Sequence, residues 1–367
     1  MRPMPFDTRS LPADIAAARH AGDRRAIAFW LLGVAGMVWF MVGLGGATRL
    51  TGSGLSIMEW APLSGTLPPL SQGEWQRLYD LYRTIPQYQL VNQGFGLEGF
   101  KEIFWLEWGH RLWGRLIGLA YVAGLAWFWL RGRVPGALRP RLLLLLALGG
   151  LQGAVGWFMV ASGFEADRTA VSPYRLVIHL GLAFILFSLL FWTALSLLRP
   201  ERDRPEQAGM LAGLVHGTAG LALLTMLAGG FVAGIRAGFS YNSFPLMDGR
   251  LVPEGYWDVA PIWLNFTANI AAVQFNHRLL ASFALGLGLL AGALALLRLP
   301  AGFARRAVLA FAAMLVVQYA LGIATLLAVV PVWLGTLHQS IAVAVLAAAL
   351  AAIHGLRRPR PTASLPA

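Results

Sequence analysis

The sequence predicts an all-α integral membrane protein whose eight transmembrane helices form two tandem four-helix bundles related by a pseudo-twofold axis. Three observations carry that expectation. Hydrophobic residues occupy 57% of the 367 positions and charged residues only 13%, far from the balance of a water-soluble domain. Eight runs of about 20 mostly apolar residues are each long enough to cross about 30 Å of hydrocarbon. The second half of the chain also repeats the landmarks of the first.

Taken in order, a basic, partly polar arm (1–26) leads into a first run at 27–47. No small-residue cleavage pattern follows that run, so it is expected to remain as a helix rather than act as a signal peptide. A long connection, 48–109, precedes the second run at 110–130; the third and fourth, 142–161 and 174–198, complete a first bundle spanning 27–198. A charged linker, 199–208, joins it to runs at 209–234, 270–297, 306–330 and 332–353, a second bundle over 209–355, and a basic tail occupies 356–367.

The net charge of +12 has a distribution that fixes its meaning. The amino terminus, the alternate loops "RGRVPGALRPR", "RPERDRPE" and "RLPAGFARR", and the tail "RRPRP" hold 18 Lys and Arg, against 8 in the segments 48–109, 162–175 and 235–268. Positive residues stay on the cytoplasmic side. Both termini are therefore expected inside, in the inner (plasma) membrane of the cell, and the surplus reads as topology and anionic-lipid contact, with no nucleic-acid footprint. The absence of cysteine excludes disulfides, iron–sulfur clusters and thiolate zinc sites, and leaves His, carboxylate or Met to hold any metal.

The internal repeat organises the polar residues. "GGATRLTGSGLSIMEWAPLSGTLPP" in the first half has a counterpart in "GGFVAGIRAGFSYNSFPLMDGRLVP"; each opens on paired glycines and carries an arginine, Arg49 or Arg236. "WGHRLWGRLIGLAY" answers to "FNHRLLASFALGLG", "LQGAVGWFMV" to "VQYALGIATLL" with Gln152 and Gln318, and "RLVIHLGLAF" to "LGTLHQSIAV". Four helices per half preserve orientation on duplication, so the relating axis lies along the membrane normal.

His110, His179, His277 and His338 come as one pair per half and are expected at one shallow level near the outer ends of the even-numbered helices. A lone histidine there is readily an interfacial side chain with its tip among headgroups. Two imidazoles opposed across an apolar bundle suit a flat haem ligated on both faces, and ionisable groups at membrane depth call for a functional account. A di-iron centre, which Glu-x-x-His would suggest, needs several more carboxylates than these helices supply.

The halves differ at one residue of this pattern: Glu107 precedes His110 by three positions, whereas Gln274 precedes His277. Position i−3 shares the histidine's helical face, which makes Glu107 a candidate general acid/base in the first half, unless it is an interfacial carboxylate facing water. The first outer connection is also about twice as long as the third, a length that suits a lid over a pocket. Arg49, Arg111, Arg236 and Arg278 are candidate clamps for haem propionates, guanidinium being matched to carboxylate; snorkelling to the interface is the alternative.

"TRLTGSGLSIMEW" followed by "EWGHRLWGR", with "LQGAVGWFMV", "FNHRLL" and "GTLHQS" further on, resembles the heme A synthase family over nearly the whole length, in the branch that lacks loop cysteines and is similar to the mitochondrial enzymes. The resemblance implies oxidation of the C8 methyl group of heme O to a formyl group, giving heme A for terminal oxidases. It implies a heme b cofactor between His277 and His338, heme O as substrate between His110 and His179, and an essential glutamate at Glu107. It also implies an external electron donor and, as partners, heme O synthase and oxidase assembly factors. Two other readings take the same histidines: a diheme electron-transfer cytochrome, and a haem transporter or chaperone. Neither calls for Glu107 or for the long first connection.

Overall fold

A computed structural model describes residues 13–200 and 208–357, with side chains from residue 21 onward; the expected arm up to residue 12, the side chain of His20, linker residues 201–207 and tail residues 358–367 lie outside the described residues. Among the described residues ten α-helices follow one another: α1 (Ala13–Leu50), α2 (Gln72–Tyr82), α3 (Pro86–Leu90), α4 (Leu97–Leu130), α5 (Arg139–Ala161), α6 (Pro173–Leu198), α7 (Gly209–Gly234), α8 (Ile270–Arg298), α9 (Phe303–Leu327) and α10 (Val332–Gly355). Eight of them, α1 and α4 to α10, are long and apolar enough to cross a membrane.

Local sequence accounts for where they start and stop. Proline opens α5 and α6 at their first turn, where its missing N–H has no helical partner to lose. The Asn269 side chain caps α8 by accepting from the N–H groups of Ala271 and Ala272 at 2.9 and 3.2 Å. The run expected to end at 330 stops at Leu327, because Val329 and Val330 turn into the left-handed region, which a helix cannot continue.

Two apolar clusters form the interior. One joins Ile27, Leu31 and Val34 of α1 to Tyr121 and Phe128 of α4, Leu142 and Leu145 of α5, and Phe184, Phe187 and Leu190 of α6. The other joins Leu211 and Val215 of α7 to Ala284 and Ala291 of α8, Phe311 and Leu315 of α9, and Val345 and Ala349 of α10. The α10 helix belongs to both, since its Val343 and Leu346 pack in the first. Helices α1, α6, α7 and α10 therefore form the centre, with α4 and α5 outside on the first half and α8 and α9 on the second. Lipid tails are as apolar as the helices, so association there rests on close approach at small residues. Accordingly, a Cβ on Gly43 would meet Ser340, one on Gly46 would meet Gln339, and one on Gly234 would meet Pro173.

The outer connection of the first half is a folded unit rather than a long loop. Ser71 caps α2, and Leu78, Tyr79 and Tyr82 from α2 pack with Ile85, Leu55 and the first turns of α4 (Phe100, Ile103 and Phe104) around their own core. Burial of each such side chain is worth about 1.5–3 kcal/mol. The α4 helix correspondingly begins at Leu97, about three and a half turns before His110, where the apolar run alone placed its start.

Candidate functional site

Each of the four histidines packs against a glycine on the preceding membrane-spanning helix. A Cβ built on Gly45 of α1 would lie 3.2 Å from His110 Nε2; on Gly156 of α5, 2.9 Å from His179 Cε1; on Gly229 of α7, 3.0 Å from His277 Cε1; and on Gly322 of α9, 3.0 Å from His338 Cε1. Any other residue at these positions would push the imidazole away. Gly45 and Gly229 open the paired-glycine landmarks of the repeat, but their contact with a histidine, like that of Gly156 and Gly322, was not legible in the sequence.

The structure brings His110 within electrostatic reach of His179, and His338 within reach of His277. Gln152 and Gln318 hold the second histidine of each pair: their amides donate to the backbone carbonyls of His179 at 3.1 Å and His338 at 3.0 Å. The carbonyl oxygens of both glutamines are buried without a partner, as is His338 Nδ1. His277 Nδ1 sits 3.0 Å from the Thr225 carbonyl. A hydrogen bond there leaves Nε2 as the free ligand atom, the arrangement in which a second partner orients a metal-binding imidazole.

These features fit a haem. Among the described residues no three His, Asp or Glu side chains gather as a bare metal ion would require, whereas two imidazoles suffice for an iron whose other four ligands come from a porphyrin. Buried polar atoms without a partner lie next to the histidines in both halves, Gln152 Oε1 in the first and Gln318 Oε1 and His338 Nδ1 in the second, as expected of a site completed by a bound group.

Above the first pair lies Glu107, only 2% exposed, so it does not face water. Its Oε2 accepts from the Ser56 hydroxyl at 2.7 Å and the Ile57 N–H at 2.9 Å. Its Oε1 accepts from Arg111 Nε at 3.0 Å and a second Arg111 nitrogen at 2.5 Å. All four lone-pair positions of the carboxylate are thus taken. Arg111 continues to the carbonyls of Ile57 and Glu59, and Arg115, one turn further along, donates to those of Ala61 and Pro62.

The second half copies this knot with the polarity exchanged. Gln274 donates through Nε2 to the carbonyls of Ala237 at 2.7 Å and Ser240 at 2.5 Å and accepts from Arg278 on Oε1 at 2.7 Å. Arg278 then reaches the carbonyls of Ser243 and Tyr241. Where Glu107 meets a hydroxyl and an N–H, Gln274 meets two carbonyls.

Of the four candidate propionate arginines, Arg111 and Arg278 are therefore engaged with loop carbonyls. Arg49 and Arg236 carry no side-chain hydrogen bond or ion pair among the described residues; the ion pairs involve other cations. They are also not equivalent by register. Arg49 is the fourth residue after Gly45, while Arg236 follows the end of α7 in the left-handed conformation, φ 58°, as Gly52 does with φ 69° after α1.

Fold and site together define a multi-pass membrane protein with eight spanning helices among the described residues and a pair of buried, glycine-backed histidines in each half. Residues 28–350 match the family model described as cytochrome oxidase assembly protein, and the chain belongs to that family. It is 58% identical over 344 residues to the heme A synthase of Granulibacter bethesdensis, covering 94% of this chain and 90% of that protein. The heme A synthase of Rhodospirillum centenum is 48% identical over 353 residues, 95% and 93% of the two chains. That of Paracoccus denitrificans is 46% identical over 357 residues, 94% and 91%.

Proposed function

We propose that this chain is a heme A synthase, oxidising the C8 methyl group of heme O to a formyl group. His110 and His179 would hold heme O as the substrate, and His277 and His338 would hold a heme b, which when bound would supply electron transfer with an external donor. The observation that carries the reading is the paired, glycine-cradled histidines in both halves combined with a carboxylate knot in only one. The family and the heme A synthase relatives support it.

In this reading the chain's own residues bind, orient and enclose. Gly45 and Gly156 give the two imidazoles room to face each other, and Gln152 fixes the backbone at His179. Glu107 locks Ser56, Ile57 and Arg111 over the outer mouth of the site. A proton reaches Glu107 by way of the Ser56 hydroxyl, its one partner that can rotate to trade a hydrogen bond. The folded outer unit excludes water above. Along the bilayer, α4 meets α5 through a much thinner contact than α8 makes with α9, a looseness that suits a site which must admit and release an amphiphilic substrate. A diheme electron carrier would have no need for that difference. The arginine distribution supports placement in the inner (plasma) membrane with both termini cytoplasmic and both sites toward the outer face.

The test is expression in a host that makes heme O and not heme A, followed by chromatography of the extracted haems. Heme A, with hydroxylated heme O as its precursor, is the expected product. A haem profile identical to that of the host alone would refute the reading.

A further inference from the structure

Arg49 and Arg236, the two candidate propionate arginines whose side chains make no hydrogen bond or ion pair among the described residues, share a setting. Arg49 stands one helical turn beyond Gly45 on α1, and so lies on the face that Gly45 turns toward His110. Arg236 immediately precedes Ala237, whose carbonyl is held by Gln274, one turn outward from His277 on α8. One arginine therefore borders the outer mouth of the first site and the other borders the second. The chain segments that carry them meet where the halves join: the end of α1 packs on α10 through Leu50 and Gly335, and the Val330 side chain that borders Gly335 also borders Gly238, two residues after Arg236.

Arg49 is half-buried and Arg236 exposed, so two positive charges stand at the outer edge of a low-dielectric region, and among the described residues no carboxylate pairs with either. Repeat symmetry does not account for the pair, because the position equivalent to Arg236 is Gly52 and that equivalent to Arg49 is Ala233. Each half contributes one arginine from a different register to one place.

We infer that Arg49 and Arg236 form a single anion clamp at the junction of the halves, receiving propionate carboxylates of the haem in the first half and of the haem in the second. The inference rests on the haem reading above. It replaces a separate pair of arginines for each haem with one shared pair, and it places the polar edges of both haems at the same point. Lipid phosphate would offer similar anionic oxygens, so the test must separate the two sources.

Full-length protein from haem-limited cells, purified in neutral detergent, is titrated with iron protoporphyrin IX as the free diacid and as the dimethyl ester, following the Soret band. Charge-assisted bonds to both propionates favour the diacid by roughly tenfold or more in the unaltered protein. In the Arg49→Gln/Arg236→Gln double variant the diacid falls to the affinity of the ester, while the ester binds as before, which shows an intact site; Arg49→Lys keeps most of the preference. A double variant that still prefers the diacid overturns the clamp, leaving the haem reading untouched. The clamp is also overturned, in favour of lipid headgroups, if the variants lose co-purifying anionic lipid with the preference unchanged. Failure of either porphyrin to bind the unaltered protein would instead defeat the haem reading itself.

Discussion

The two halves of this chain share helices, glycines, glutamines and histidines, and they part company around one residue. Glu107 is met by donors and Gln274 by acceptors, so each side chain is matched to its own loop and neither could be exchanged alone. Around that difference the first half is looser between its outer helices and carries a folded outer unit, while the second half is closely packed beneath a shorter connection. On the proposed reading, two similar histidine pairs have surroundings that suit one to turnover and the other to permanent occupancy.

The comparison can be broken at several points. The largest effect is expected from Glu107→Gln, which sets an amide N–H2 against the Ile57 N–H and Arg111; heme A formation falls by about a hundredfold or more, with the b-type spectrum unchanged. An undiminished yield would remove Glu107 from the mechanism. Phe100→Ala opens the core of the outer unit, where Phe100 is fully buried; the cost is about 3–5 kcal/mol, visible as rapid proteolysis within 60–105 while the membrane helices stay intact. Gly156→Ala and Gly322→Ala each force an imidazole aside, at about 1–3 kcal/mol. The first should weaken substrate turnover and the second should shift the b-type spectrum; the reverse assignment would invert the roles of the halves.

Gln274→Glu, the converse of the first substitution, places carboxylate oxygen against the carbonyls of Ala237 and Ser240. It should lower thermal stability in detergent by about 1–3 kcal/mol without creating a second substrate site. The smallest effect lies at the surface. Hydrogen bonds from Arg77 hold the Glu59 and Glu74 carboxyls below their usual range. A lowered folded value means the contribution is present above the ordinary carboxylate pKa of 4.5 and disappears as pH falls below it. These groups are largely exposed, so Arg77→Ala should change stability by at most about 1 kcal/mol, and the difference from the unaltered protein should vanish in acid.

Much of this was legible in the sequence. Apolar run length found the eight spans, because a helix in lipid must satisfy its own backbone and cover itself with hydrocarbon side chains. Comparing the halves found the four histidines and the Glu107/Gln274 difference, because repetition separates a pattern from an isolated polar residue. The outer unit was missed for a physical reason: α2 and the start of α4 bury Leu78, Tyr82, Phe100 and Phe104 at helical spacing between charged residues, and a test for continuous apolar runs passes over them. The glycine cradles were missed because they matter through what approaches them from another helix. The engagement of Arg111 and Arg278 with loop carbonyls depended likewise on the path of the chain after α1 and α7.

The central claim is that the halves divide substrate from cofactor, and haem retention in two purified double variants tests it most directly. His277→Ala/His338→Ala should lose the b-type absorption spectrum, whereas His110→Ala/His179→Ala should keep it and make no heme A. Retention of the spectrum in the first variant and its loss in the second would contradict the division.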